Sequence, residues 1–500
     1  MAPVRIHPEN PKLFEYRGRP LVLLTATEHY GAVLNRPFRF QRYLRDAAAN
    51  GMTLTRLFTL FRELQTPINP ASTCKPASPD YVAPFARTGP GFALDGEPRF
   101  DLDRDNPEFY ERLHGFIGLA DELGVVVEVV LLSNTYGDPV WRLNPLHADN
   151  NVNGLPACSA PVYLSMRHAA LFERQRAHVR RIVEETRGYD NVIYEICNEP
   201  GGRASEAEGP LVAEVNEWLD QLIATVRDAD HAGSGRHLIA GQEAFVDKPF
   251  LQTLDRSYDA MDYDVVNVHP LPGTRLRGAD HHLGDFMSKQ LRLQAFRDMT
   301  LAAHTESKPL NHDEDNVASQ YRDPDGWTVH RKRAWVSLLC GAHYDVIDFS
   351  IQPFLEEGTP DAQEHLRSWF RHLSAYVHGL DLVRSRPLPE ALRAAPTHTV
   401  AVVFGVPGAD YTVYVADARE YPGVRDLEDQ APAEDSGEAG TAIGGALLLD
   451  LPEGTLAVSR FDPTTGRSVP LARLQGGPAT RIDLEPFRHD VVIRVTIDNP

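Results

Sequence analysis

From about residue 20 to residue 350, short apolar runs alternate with longer segments whose apolar residues recur at helical spacing. The runs are LVLLTAT, TLTRLF, VVVEVVLL, NVIYEI, HLIAG, DVVNV, KPLNH and YDVIDF, eight in all. Each is short and bounded by turn residues, as expected of strands. Between them, Phe109, Leu113, Phe116, Ile117, Ala120 and Leu123 line one helical face, and Val215, Trp218, Leu219, Leu222, Ile223 and Val226 line another. Asn106-Pro107 reads as an N-cap followed by a first-turn proline, and Gly124 stands where a C-terminal glycine belongs. Strands that alternate with helices predict a parallel sheet, and eight such units predict a closed (β/α)8 TIM barrel. The open doubly wound alternative loses ground because no GxGxxG follows the first run.

After about residue 385 the texture changes. HTVAVVFGV, DYTVYVAD, GALLLDL, GTLAVSRFD and DVVIRVTID are short β-rich runs divided by Gly, Pro and Asp, with no helical pattern between them. They predict a small antiparallel β-sandwich, so the α/β chain divides into a barrel over 1–384 and a sandwich over 385–500. Within the sandwich the acidic stretch GVRDLEDQAPAEDSGEAG is expected to be a mobile loop.

Composition narrows the partners. Lys plus Arg number 50 against 70 Asp plus Glu, a net charge of −20. That field repels phosphate backbones and anionic lipid, so nucleic acid and membrane are excluded and a neutral, polyhydroxylated ligand fits better. Cys74, Cys158, Cys197 and Cys340 are scattered without metal or disulfide spacing and are expected to be reduced, packed thiols. The first residues lack an apolar signal core and no long apolar run follows, which predicts a cytoplasmic protein.

In a (β/α)8 barrel the chemistry sits at the C-terminal ends of the strands. Strand one ends at Glu28, His29 and Tyr30, and strand two carries Arg56 and runs on to Glu63. Strand three ends at Asn134, strand four at Asn198 and Glu199, strand five at Gln242 and Glu243, and strand six at Asn267 and His269. Strand seven ends at Asp313, Glu314 and Asp315, and strand eight at Asp348 with Gln352 beyond. Trp327, past strand seven, joins the substrate-binding candidates. Any one polar strand end is uninformative, but eight around one mouth imply a ligand. Two carboxylates, on strands four and seven, would face each other there, as cleavage of a glycosidic bond requires.

NEP after strand four, VNVHP on strand six and PLNHDED on strand seven resemble the clan A glycoside hydrolases, closest to family 5 and its cellulase-like members. The resemblance implies that Glu199 is the acid/base and Glu314 the nucleophile. It further implies Asn198 as the partner of the sugar 2-hydroxyl, Arg56 as the strand-two arginine (in GMTLTRLF, with Thr53 for the family's Asn) and His269 as the strand-six histidine. Carboxyl groups roughly 5 to 5.5 Å apart and a retaining mechanism would follow, with Glu199 protonated and Glu314 kept ionised by Arg56. No cofactor or metal is implied. The sequence departs from the pattern at strand three, where LLSNTYGD offers Asn134 and Tyr136 in place of a His. It departs again at Leu271, where an aromatic is usual, and at strand eight, which lacks the Trp.

The reading is therefore a retaining glycosidase acting on a β-linked glycoside or short oligosaccharide, with glucoside, mannoside, galactofuranoside and arabinofuranoside all open. A metal-dependent hydrolase using His312, Asp313 and Asp315, and a carbohydrate-binding pseudoenzyme, are the rivals. DLDRDNPEFYER mimics a calcium loop only in its first acids, since it lacks the glycine and has Arg112 where the bidentate Glu belongs. The long Pro- and aromatic-rich segment between strands two and three, from Thr59 to Gly124, is expected to wall off one side of the mouth and favour exo action.

Overall fold

The computed structural model describes residues 3–65, 71–231, 236–247, 252–270, 274–275, 292–315, 324–419 and 439–497. Residues 423–438 of the expected acidic loop, which runs to Gly440, and Leu271 lie outside them. All eight apolar runs are strands: β1 Leu24–Thr27, β2 Leu54–Phe58, β3 Val126–Ser133, β4 Val192–Asn198, β5 Leu238–Gly241, β6 Val265–Asn267, β7 Leu310–Asp313 and β8 His343–Ile347. They pair in the order β1-β8-β7-β6-β5-β4-β3-β2, every ladder parallel. Every residue of these strands is buried, because both faces of the sheet are covered.

The remaining seam, between β1 and β2, is closed by Thr53. Its amide donates to Leu24 O at 3.0 Å, its hydroxyl donates to Val22 O at 2.7 Å, and it accepts from the Leu24 amide at 2.9 Å. Helices α1 Phe40–Ala49, α2 Pro107–Leu123, α3 Ala169–Thr186, α4 Val212–Asp230, α5 Leu293–His304, α6 Pro324–Leu339 and α7 Ser368–His378 supply the outer layer. The caps of α2 are those expected: the Asn106 side chain accepts from the Glu108 amide, and Gly124 takes φ +79°. Asp101–Asp105, the calcium-loop mimic, lies in a hairpin strand, where Asp103 and Asp105 pair with Arg174 and Arg181 of α3. None of the described helices is long and apolar enough to cross a membrane.

The bottom of the barrel is apolar. Leu23, Leu54, Val126, Ile193, Leu238 and Val265 form one cluster with Val4, Phe14 and Tyr16 of an N-terminal three-stranded sheet that closes this end. Polar side chains therefore begin only one layer higher, nearer the mouth.

The C-terminal strands are β9 Arg386–Pro387, β10 Leu392–Ala394, β11 Thr399–Val406, β12 Asp410–Asp417, β13 Ile443–Leu449, β14 Gly454–Asp462, β15 Arg467–Gly476, β16 Thr480–Phe487 and β17 Asp490–Ile497. They form a six-stranded sheet, β9-β11-β12-β17-β14-β15, and a three-stranded one, β10-β13-β16. The larger sheet packs on α6 and α7. Val400, Val402, Phe404, Tyr414 and Phe461 share a core with Trp335, Leu339, Phe370 and Leu373. Trp335 stacks on Tyr414, with centroids 5.4 Å apart and planes at 10°. Beside this stack, Arg331 makes two 2.8 Å bonds to Asp490, which also accepts from the Tyr414 hydroxyl.

A face this apolar makes the sandwich part of the barrel's stability. Trp335→Ala should cost about 3 to 5 kcal/mol in chemical unfolding. A chain ending at residue 384 should melt well below the full-length protein; equal melting temperatures would contradict this role.

Candidate active site

Side chains on one face of a strand recur every second residue. Two positions beyond the apolar bottom layer the barrel interior becomes polar, with Arg56 on β2, Glu128 on β3, Glu195 on β4, Asn267 on β6, Asp313 on β7 and Asp345 on β8, all buried. Arg56 sits at the centre. Its Nε lies 3.1 Å from Glu195 Oε2 and 3.3 Å from Asp313 Oδ2, and Nη2 also bonds Glu195. Nη2 donates to Asn198 Oδ1 at 3.1 Å, and Nη1 reaches Glu314 Oε2 at 3.4 Å. The guanidinium carbon lies 4.4 Å from the ring centre of Tyr30, whose hydroxyl donates to Asp345.

One guanidinium cannot neutralise this many buried carboxylates, so some hold protons. Burial pushes Glu128 up to about 8 and Asp345 up to about 6, and it carries Asp313 well above its ordinary value. Asn267 Nδ2 spans Glu128 at 2.6 Å and Asp313 at 2.5 Å.

The mouth is built on this layer. Glu199 stands just past β4 with φ +49°, a left-handed conformation that turns the chain sharply at NEP. Asn134 Nδ2 holds its carbonyl at 3.0 Å, while Asn134 Oδ1 accepts from the Tyr136 amide at 3.0 Å. Tyr136 is also left-handed, at φ +53°. Its ring is half exposed, but its hydroxyl turns inward to Glu199 and accepts from Asn198 Nδ2 at 2.8 Å. His269 Nδ1 lies 2.8 Å from Glu199 Oε1, and its Nε2 lies 3.6 Å from Asp313 Oδ1.

The structure thus brings Glu199, Glu314, Arg56, Asn198, His269, Asn134 and Tyr30 into one assembly. His29 stands at its edge, packed against Phe349 and close enough to feel the charges of Arg56 and Glu199. Gln352 closes a turn with Leu355. Tyr136, which strand three offers in place of a His, joins them, and Glu195 and Asp345 are additions. These two were hidden because they lie inside apolar runs, where only the period of two marks them.

Four expected sugar contacts are instead committed to the framework. Glu28 accepts from the amides of Gly31 at 2.9 Å and Ala32 at 3.3 Å, fixing the turn after β1. Glu243 accepts from the Thr253 hydroxyl at 2.7 Å and the Ser257 amide at 2.9 Å. Asp348 takes the Ser350 amide at 2.9 Å and faces Arg367. Trp327 is buried on α6, where its indole donates to Asp361. Within HDED, His312 turns outward to Thr300 of α5, and Asp315 bonds Arg333 and Tyr344. Those contacts leave two members of the run within reach of Arg56, Asp313 in the polar floor and Glu314 nearer the mouth.

The protonation order is the reverse of the expected one. Burial alone would raise Glu199, but the hydrogen bond and charge of His269, then Tyr136 and Arg56, hold it below the ordinary range. Burial likewise opposes a charge on His269, yet its bond to Glu199 and the charges of Glu199 and Glu314 lift it above its usual value. Glu314 is pushed up to about 7 by burial, against the pull of His269 and with the added charge of Glu199. Arg56 fails to hold it down because its contact is long and its charge is divided among Glu195, Asp313 and Asn198.

Residues 101–339 match the family Cellulase (glycosyl hydrolase family 5), a span that contains β3 to β7 and both candidate glutamates. Among solved structures, one titled a glycoside hydrolase superposes with a TM-score of 0.60 at 11% identity, covering 99% of this chain and 97% of that one. A glycoside hydrolase family 5 protein from Bacteroides vulgatus gives 0.61 at 12% identity, covering 99% and 93%. At such identities the likeness is one of fold, and it extends through the sandwich. No curated protein matches the chain. A parallel barrel with paired carboxylates over a buried arginine, together with this match, supports a glycoside hydrolase of the clan A type, similar over residues 101–339 to glycosyl hydrolase family 5.

Two measurements probe the assembly. The carboxyl pair should lose its last proton as pH rises through about 7, so kcat/KM should fall above that value. His269→Ala removes a cationic donor that favours the ionised carboxyls, so their pKa values rise and this alkaline limb should move to higher pH. Tyr136→Phe, which deletes a hydrogen bond to a charged group, should lower kcat/KM by about 10- to 100-fold.

Proposed function

We propose that the protein is a retaining, exo-acting glycosidase for a β-linked glycoside or short oligosaccharide, with Glu199 as acid/base and Glu314 as nucleophile. The observation that carries this reading is the unequal partnering of two carboxyls in one mouth. Glu199 is bonded to His269 and Tyr136, and Glu314 touches the Arg56 guanidinium. Near neutral pH the pair retains one proton, which rests on Glu314 in the free enzyme. The productive form has that proton on Glu199 and the negative charge on Glu314.

In that form Glu314 attacks the anomeric carbon while the glycosidic C–O bond breaks and Glu199 delivers its proton to the departing oxygen. Arg56 and its neighbours hold the attacking carboxylate. Asn198, fixed between Arg56 and the Tyr136 hydroxyl, presents its amide to the sugar 2-hydroxyl. Glu199, now ionised, takes a proton from water; the water oxygen bonds to the anomeric carbon, the ester to Glu314 breaks, and configuration is retained. The sugar ring would lie against the exposed face of Tyr136, which replaces the aromatic contacts missing elsewhere in the sequence.

Exo action is inferred from the excursion between β2 and β3. It contributes a hairpin of Phe85–Phe92 with Pro98–Asp105, and Phe61 of the same segment packs edge-on against Tyr136 at 5.8 Å. A wall attached directly to the sugar platform favours a pocket over an open groove.

Chromogenic pyranosides and furanosides assayed in parallel would identify the sugar. On a hydrolysed substrate, Glu199→Ala should keep activity toward good leaving groups and gain activity with azide, yielding a β-glycosyl azide. Glu314→Ala should be inactive on every substrate. An inverted first product by NMR would refute the retaining assignment, and rapid viscosity loss with a polymer would refute exo action.

A further inference from the structure

A second group of reactive side chains lies beside the mouth, at residues 63 and 72–74 past β2 and at the end of β1. His29 Nδ1 is 3.1 Å from Cys74 Sγ and 2.7 Å from Ser72 Oγ, and Cys74 Sγ is 3.7 Å from Glu63 Oε2. One donor atom from each of His29, Glu63 and Cys74 falls within 4.8 Å of the others. The grouping is held by the backbone. Glu63 N donates to Cys74 O at 2.9 Å, and Asn35 Nδ2 holds Thr73 O at 2.8 Å. Gly31 comes so close that a Cβ there would lie 2.3 Å from Thr73 O, so Thr73 and Cys74 are seated directly on the turn after β1.

We propose that His29, Cys74 and Glu63 bind a borderline-soft divalent cation of the zinc class, with the Ser72 hydroxyl or a water as fourth ligand. The donor set is the first argument. Imidazole, thiol and carboxylate together suit zinc, whereas calcium and magnesium take oxygen alone. Spacing is the second. With metal–sulfur near 2.3 Å and metal–nitrogen or –oxygen near 2.0 Å, tetrahedral ligands are about 3.5 Å from the sulfur. The observed 3.1 and 3.7 Å bracket that value, so small side-chain shifts suffice.

Charge is the third. Binding would form the metal–sulfur bond and release the thiol proton to solvent. Thiolate and carboxylate then balance the dication, and Lys75, 3.4 Å from Glu63 Oε2, faces a neutral centre that it can tolerate. The buried trio Glu128, Glu195 and Asp313 is different, because Arg56 and Asn267 already engage it. The cation would pin the start of the β2–β3 excursion to β1 and so stiffen the wall of the mouth; it takes no part in the two-glutamate chemistry.

The test uses full-length protein stripped with a chelator under reducing conditions and titrated with zinc against a chromophoric competitor, then with cobalt. The wild type should bind one equivalent, melt at a higher temperature when loaded, and show thiolate-to-cobalt charge-transfer absorption. Cys74→Ser and His29→Gln should lose the equivalent and the thermal shift, and Cys74→Ser should also lose the absorption band. Glu63→Gln, at a partly exposed position, covers the case in which the buried variants fail to fold, and should weaken zinc binding at least about tenfold. No uptake by the wild type at micromolar zinc would overturn the proposal. So would equal uptake by folded variants, which would place the metal on other histidines. Because binding is read without any glycoside, its failure is separate from failure of the glycosidase reading.

Discussion

The barrel depends on one buried cation. Arg56 has no solvent to lean on, and its partners come from β4 and β7 and from the mouth above them. Removing it would leave several carboxyls facing each other in a medium that screens poorly, which costs far more than the loss of one ion pair. Conversely, the arginine is tolerable there only because those acids surround it. Protons on Glu128 and Asp313 complete the balance, so the interior is neutralised partly by charge pairing and partly by titration. The floor of the active site is therefore set electrostatically before any sugar arrives.

That arrangement also explains what the sequence revealed and what it concealed. The architecture was legible because parallel strands covered on both faces are largely apolar, and because Asn106 and Gly124 mark helix ends by their chemistry. The central site was legible where a polar residue ended a run, as with Asn198, Glu199, His269 and Glu314. Glu195 and Asp345 were passed over because each sits mid-run among apolar neighbours, and the alternation that turns them inward is masked when both faces are buried. Glu28, Glu243 and Asp348 misled for the opposite reason. A carboxylate just past a strand end can serve the mouth or cap the backbone of its own loop, and composition alone does not distinguish the two. Trp327 belonged to the helical layer, which a position after strand seven does not exclude.

The protonation of the glutamates was not legible at all. Adjacency to Arg56 suggested a permanently ionised Glu314, but the guanidinium has other obligations, and the closer donor is His269 on Glu199. Which acid holds the proton is decided by competition for donors across several strands, a property of the folded barrel that no local motif encodes. The sandwich shows the same principle in apolar form: its β-rich texture was evident, yet its seat on α6 and α7 depends on Trp335 and Tyr414 meeting face to face.

The left-handed backbone at Glu199 has an evolutionary corollary. Glycine, asparagine and aspartate accept that conformation readily, whereas β-branched residues resist it. Substitution of the proposed acid/base has an easy route through the first three, which leave the NEP turn and the seat of Tyr136 intact. Drift to valine, isoleucine or threonine would instead disturb the turn itself, so loss of the Glu199 carboxyl and loss of the Tyr136 seat need not occur together.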